Sequence, residues 1–224
     1  MNDVLSRAPM FSTLDAEAAA ALRASMDAVQ LRKGQVLFLE GERGERLYII
    51  TEGKMKLGHT SADGRESLLA VLGPGELLGE LSLFDPGPRT ATATALTDVS
   101  LMGLGHLALR PWLTGRPEVA EALLAALAQR LRRTNEQMAD LVFSDVPGRV
   151  AKTLLELGEK FGRPQPDGLH VTHDMTQEEL AQLVGASRET VNKALADFAA
   201  RGWIRLESRS VVLLDPERLE RRSK

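Results

Sequence analysis

The chain has 224 residues, enough for one large domain or two modest ones that each bury a core. It lacks cysteine, which excludes disulfides, thiolate zinc sites, cysteine-held iron–sulfur clusters and catalytic thiols. A formal net charge of −3 argues against an indiscriminate, strongly basic nucleic-acid binder, and no run of about 18 apolar residues is present to span a bilayer.

Met1 to Phe11 mixes Asp3 and Arg7 into a short segment without the continuous apolar stretch of a secretory signal, so a cytoplasmic location without membrane contact is expected. Asn2 to Met26 reads as helical, with Leu14, Ala18, Ala21 and Leu22 on one side. From Ala28 to Gly105 the pattern becomes that of short strands between turn signals at Lys33-Gly34, Glu40-Gly41, Glu52-Gly53, Asp63-Gly64, Gly73-Pro74-Gly75 and Pro86-Gly87-Pro88. The clearest strands are Leu47 to Thr51, Lys54 to His59, Ser67 to Leu72, Ala91 to Leu96 and Ser100 to Leu104. About eight strands in this span fit a β-sandwich or a jelly roll, and the pattern does not choose between them.

Inside that region the run Gly79-Glu80-Leu81-Ser82, followed by Arg89-Thr90, has the composition of an anion cradle. Gly79 can open a short helix whose free amides face a phosphate, and Arg89 can supply charge and a bidentate pair. Glu80 suits a ribose hydroxyl. The alternative is a plain loop salt bridge between Glu80 and Arg89.

Pro111 to Arg116 reads as a short connection, and Pro117 to Val146 as one long helix without internal Gly or Pro. Leu124, Leu127, Leu131, Thr134, Met138 and Leu141 follow at alternating steps of three and four, the spacing of a coiled-coil seam with one polar interruption. Such a helix is about 40 Å long, and a second copy of the chain is its simplest cover, so a parallel homodimer is expected. The other reading is a helix buried in one subunit, with Thr134 bonding its own backbone. Val146-Pro147-Gly148 breaks the run and serves as boundary or hinge.

Arg149 to Phe161 is a further amphipathic helix, and Gly162 to Gly168 a loop leading to a short strand at Leu169 to Thr172. Thr176-Gln177-Glu178-Glu179 is a capping box. The helix it opens carries Leu180, Ala181 and Val184, meets Gly185, and is followed by a second helix from Ser187, itself a good N-cap. Trp203 to Leu206 and Val211 to Leu214 then form a hairpin about Ser208-Arg209-Ser210. The whole is a winged helix-turn-helix. Its candidate DNA-binding residues are Thr176, Ser187, Arg188, Glu189, Thr190 and Lys193: Arg188 can bond guanine bidentately, and Glu189 accepts from cytosine N4. Residues 147–224 hold 13 basic against 12 acidic residues, so DNA contact must come from a local patch such as Arg188, Lys193, Arg201, Arg205 and Arg209. A helical hairpin for protein contact is the competing interpretation. No nucleophile–base pair, metal cluster or Walker loop is present, so no enzyme activity is expected.

With GELS and GPRT in a β-region, RLRRTN on a long helix, then VPGRVA and QEELAQLVGASRETVNKAL, nearly the whole chain resembles the CRP/FNR family of transcription regulators, especially its actinobacterial branch. The resemblance implies an α+β chain: a cyclic-nucleotide-binding β jelly-roll domain over 1–116, a dimerisation helix over 117–146 and a winged helix-turn-helix DNA-binding domain over 147–224. Cyclic AMP is the implied allosteric ligand. Arg89, Ser82 and Thr90 would hold its phosphate and Glu80 its ribose 2′-hydroxyl, flanked by Gly79 and Leu81. Thr134 and Asn135 would meet the adenine amino group, Asn135 from the partner subunit. Ligand would swing the winged domains about 146–148 onto a palindromic double-stranded operator, with recognition helices about 34 Å apart. A surface for RNA polymerase is expected on Arg163 to His173. Two departures stand out: Thr90 replaces the family's usual serine, and Lys193 its usual arginine, a less selective point charge. The four histidines are scattered, which disfavours haem sensing. A regulator of the same fold with another effector, or none, and a nucleotide-binding interaction module are the alternatives.

Overall fold

The computed structural model describes residues 3–61, 63–64, 66–85 and 87–224. The helix start expected at Asn2 and the first residue of the turn expected at Pro86 lie outside them. Contacts divide the chain into two units: Met1–His59 with Ala70–Arg133, and Thr60–Leu69 with Thr134–Lys224.

In the first unit, the helix expected over Asn2 to Met26 is two, α1 (Asp3–Ser6) and α2 (Ala16–Ala24). Pro9 cannot continue a helix, and Asp15 begins a new one by accepting a bond from the Ala18 amide at 2.8 Å. Between them Ala8, Met10 and Phe11 are buried.

Among the described residues eight strands then follow along the chain, with Thr60 of β4 and 66–69 of β5 grouped in the second unit: β1 (Asp27–Leu31), β2 (Val36–Phe38), β3 (Arg46–Glu52), β4 (Met55–Thr60), β5 (Glu66–Leu72), β6 (Leu77–Leu78), β7 (Thr92–Ala95) and β8 (Val99–Gly105). They form two four-stranded sheets in the orders β1-β8-β3-β6 and β2-β7-β4-β5. This alternation of strands between facing sheets is that of a jelly roll, the choice that periodicity left open. The period-two side chains of β3 show how the unit is layered. Ile50 packs with Phe38, Met55, Leu57, Ala93 and Leu101 between the sheets, while Leu47 and Ile49 pack outward with Leu22, Leu104, Leu109 and Leu123 beneath the helices.

Pro111 to Arg116 is not a plain connection. It lies largely in α4 (His106–Gly115), where Pro111 forgoes only the bond to the carbonyl of Leu107, an exposed residue. The long helix α5 runs over Pro117–Phe143, its start anchored by buried Val119 and Leu123. It stops short of the expected Val146, because Val146 opens the next helix, α6 (Val146–Phe161). Asp145 caps α6, and Pro147 is tolerated in a first turn whose amides have no helical partner. The break is therefore at Ser144-Asp145 rather than Val146-Pro147-Gly148.

In the second unit, the segment expected as a loop contains β9 (Gly162–Gln165), paired with β10 (Gly168–Thr172). The helices α7 (Gln177–Val184) and α8 (Arg188–Ala200) are followed by β11 (Ile204–Glu207), β12 (Ser210–Leu213) and α9 (Pro216–Arg222). The four strands form one sheet, β11-β12-β10-β9. Buried Val150, Leu154, Leu157, Leu180, Val184, Val191, Leu195 and Phe198 make the core of the three-helix cluster, with Phe198 stacked on Trp203 at 5.4 Å.

Candidate ligand pocket and nucleic-acid interface

The loop between β6 and β7 carries the first site. Gly79 leaves β6 with φ +76°, a left-handed conformation that favours glycine, and Glu80 precedes the one-turn helix α3 (Leu81–Phe84). The expected helix start at Gly79 is thus displaced, and a single turn offers too few free amides to bind an anion alone. The charge comes from Arg89, 6% exposed, whose Nη1 and Nη2 donate to the carbonyls of Gly79 and Arg46, each at 2.8 Å. Its backbone is fixed as well: the Arg89 amide donates to Glu42, and the Gly41 amide to Arg89. Burial pushes the guanidinium below the usual arginine value, opposed by Tyr48, Glu80 and Glu42; it stays a cation.

The plain Glu80–Arg89 salt bridge is not formed. Glu80, 3% exposed, turns one carboxylate oxygen to Arg130 of α5 at 2.5 Å, and its Oε2 is buried without a partner, as is the Nε of Arg89. Orphaned polar atoms of opposite character in one loop are costly unless a ligand completes them. The space there is also built. A Cβ on Gly44 would stand 2.5 Å from Ser82 Oγ and 2.6 Å from Arg89 Cζ, and one on Gly79 would stand 2.5 Å from Arg89 Nη1. Gly79, Glu80, buried Ser82 and Arg89 therefore gather around one cradle, with Leu81 and Thr90 as exposed neighbours along the chain. Thr134 and Asn135 are exposed on α5, four and five residues beyond Arg130. Sequence reasoning missed Gly44, Phe38, Arg46 and Arg130. Gly44 stands out in the sequence only as a turn signal and Arg130 only within the RLRRTN run; Phe38 and Arg46 leave none.

The second site is the pair α7 and α8. Thr176 Oγ1 accepts from the Glu179 amide at 3.2 Å while the Glu179 carboxylate accepts from the Thr176 amide at 2.7 Å, the reciprocal cap expected. Gly185 makes the turn with φ +71°. Ser187 Oγ accepts from the Thr190 amide at 3.2 Å, and the two hydroxyls lie 2.8 Å apart. Arg188, Glu189 and Lys193 are exposed on α8, and their side chains have no hydrogen-bond or ion-pair partner among the described residues.

The basic patch is smaller than its sequence suggests. Arg201 is paired with Asp197 at 2.8 Å and lies over Trp203, and Arg205 reaches Asp167 at 2.7 Å. Arg205 and His170 hold the Asp167 carboxyl at about 2, well under its usual 3.8. The wing turn is pinned instead through Arg209, whose carbonyl accepts from the His173 and Asp174 amides. Arg149, not singled out in the sequence, donates to the carbonyls of Ser144, Val184 and Gly185 and so ties the end of α5 to the turn after α7. Arg222 of α9 binds Asp145 at 2.6 Å.

Residues 28–114 match the cyclic nucleotide-binding domain family, and residues 148–222 the Crp-like helix-turn-helix domain family. The chain is 56% identical over 224 residues, 100% of both chains, to the CRP-like cAMP-activated global transcriptional regulator of Mycobacterium tuberculosis. It is 38% identical over 188 residues, 84% of both chains, to the cyclic AMP receptor protein of Thermus thermophilus. The solved structure of FixK2 from Bradyrhizobium japonicum shares the fold, with a TM-score of 0.80 over 89% of this chain and 98% of that one at 24% identity.

Proposed function

This chain belongs to the CRP family of DNA-binding transcription regulators, and we propose that it is a homodimer whose grip on a palindromic operator is set by cyclic AMP bound at the Arg89 cradle. The observation that carries the ligand is the pairing of a buried, un-neutralised Arg89 with the orphaned Oε2 of Glu80. A cyclic phosphate brings one negative charge to the first, together with Ser82 and Thr90, and a ribose 2′-hydroxyl brings a donor to the second, beside Gly79 and Leu81. Thr134, and Asn135 from the partner subunit, take the adenine amino group.

The dimer rests on α5. Leu124, Leu131, Met138 and Leu141 are 65, 61, 62 and 57% exposed, a seam of large apolar side chains that a second copy would cover. A nucleotide touching both copies favours whichever dimer arrangement offers it the better contacts. The coupling is limited to its differential affinity, typically about 1 to 3 kcal/mol. Arg188, Glu189 and Lys193 read base edges in this proposal, with Thr176, Ser187 and Thr190 nearest the phosphates. The hairpin of β9 and β10 is the proposed face for RNA polymerase, and the cytoplasm the proposed location; no helix of the described residues is long and apolar enough to cross a membrane.

A calorimetric titration of cyclic AMP into the chain and into its Arg89→Ala variant tests the ligand. The variant should lose about 2 to 5 kcal/mol of binding, as expected for one partner of a desolvated charge pair. An unchanged isotherm would remove Arg89 from the pocket.

A further inference from the structure

A buried guanidinium has to be stabilised, and the nature of its partner decides how much charge remains for a ligand. A carboxylate would neutralise Arg89 and compete with an incoming anion. Glu80, a buried acid of the same loop, instead spends one oxygen on Arg130. What touches the guanidinium directly is uncharged: two carbonyls, and the ring of Phe38, whose centroid lies 4.2 Å from Cζ, while the carboxylates of Glu80 and Glu42 act on it without forming an ion pair. Carbonyl dipoles and an aromatic quadrupole attract a cation without cancelling its net charge, and the attraction is strongest where water is excluded. Arg89 and Phe38 are both buried.

The ring is itself held from both sheets. Phe38 ends β2, opposite Ala93 of β7, and stacks on Tyr48 of β3 with centroids 6.3 Å apart. The close approaches at Gly44 and Gly79 leave the guanidinium little room to drift from that ring.

We propose that Phe38 is a positioning residue of the phosphate site, its ring face stabilising the buried Arg89 guanidinium without neutralising it, so that a full positive charge meets the cyclic phosphate. The proposal rests on the cyclic-nucleotide reading above and assigns Phe38 an effect confined to the anionic part of the ligand.

The test titrates cyclic AMP, and separately adenosine at millimolar concentration, into the full-length chain and its Phe38→Leu and Phe38→Tyr variants. Leucine keeps an apolar side chain and removes the ring face; tyrosine keeps the face. Phe38→Leu should bind cyclic AMP about 3- to 10-fold more weakly. Its affinity for adenosine, which lacks the phosphate, should be unchanged, and Phe38→Tyr should recover most of the loss. Wild-type affinity of Phe38→Leu for cyclic AMP, or an equal loss for both ligands, would overturn the proposal, the second result marking a merely structural role. Failure of the unmodified chain to bind cyclic AMP would overturn the ligand reading itself, and it shows before any variant is made.

Discussion

Arg89 and Arg188 are the two arginines on which the proposed ligand and DNA contacts rest, and the chain presents them in opposite ways. Arg89 is buried among two carbonyls, an aromatic ring and two glycines that leave no room for a Cβ. Arg188 stands in solvent at the start of α8, and everything fixed about it is backbone: the Ser187 cap, the Gly185 turn and the core beneath Val191 and Leu195. A buried site concentrates its binding energy in a few pre-set atoms and leaves orphans when empty. An exposed one spreads it over many weak, salt-screened contacts and depends on where the helix is carried. In a regulator this division is useful, because the small ligand can be bound tightly while DNA affinity remains adjustable.

The contrast breaks most sharply at Gly44. Gly44→Ala places a methyl group against Ser82 and Arg89, and cyclic AMP affinity should fall more than about tenfold, about 1.4 kcal/mol. Calorimetry would show it, with ligand-free DNA binding unchanged. Undiminished ligand affinity would mean that the cradle is plastic and not pre-set. At the exposed site, Arg188→Ala should cost about 1 to 3 kcal/mol and relax preference at one base pair per half-site, measured by operator variants in a gel-shift series. An equal fall on random DNA would make Arg188 a phosphate contact.

The smallest effect belongs to Asp167 in the winged unit. Its folded-state carboxyl sits at about 2 against an ordinary 3.8, so its pairing with Arg205 and His170 adds stability above about pH 4 that is lost as pH falls through about 2. The group is exposed, so the gain is slight. Asp167→Asn should lower the thermal midpoint at neutral pH by a small margin that closes on acidification. A margin that persisted at about pH 2 would mean that the amide disturbs packing rather than charge.

Local chemistry made some elements legible and long-range pairing hid others. The cap at Thr176, the left-handed Gly185 and the Ser187 start are written in adjacent residues, and α7 and α8 follow them closely. The jelly-roll order could not be read, because it depends on which strands pair across tens of residues, such as β1 with β8. The same holds in the cradle. Arg89 and Glu80 are recognisable by type and spacing, but Arg130 is 50 residues from the Glu80 it binds, and Phe38 reaches Arg89 only because β2 and β7 are neighbours. The helix junction was misplaced because Pro147 reads equally as a breaker or as a first-turn residue, and only the Asp145 cap decides.

The claim that joins the two regions is that nucleotide in the cradle changes DNA affinity at α8. A fluorescently labelled palindromic DNA titrated with the chain, alone, with cyclic AMP and with cyclic GMP, tests it most directly. The account predicts tighter specific binding with cyclic AMP only, by a factor of about 5 to 150, matching a coupling of about 1 to 3 kcal/mol. Specific binding that ignored both nucleotides would keep the DNA-binding regulator and contradict the switch.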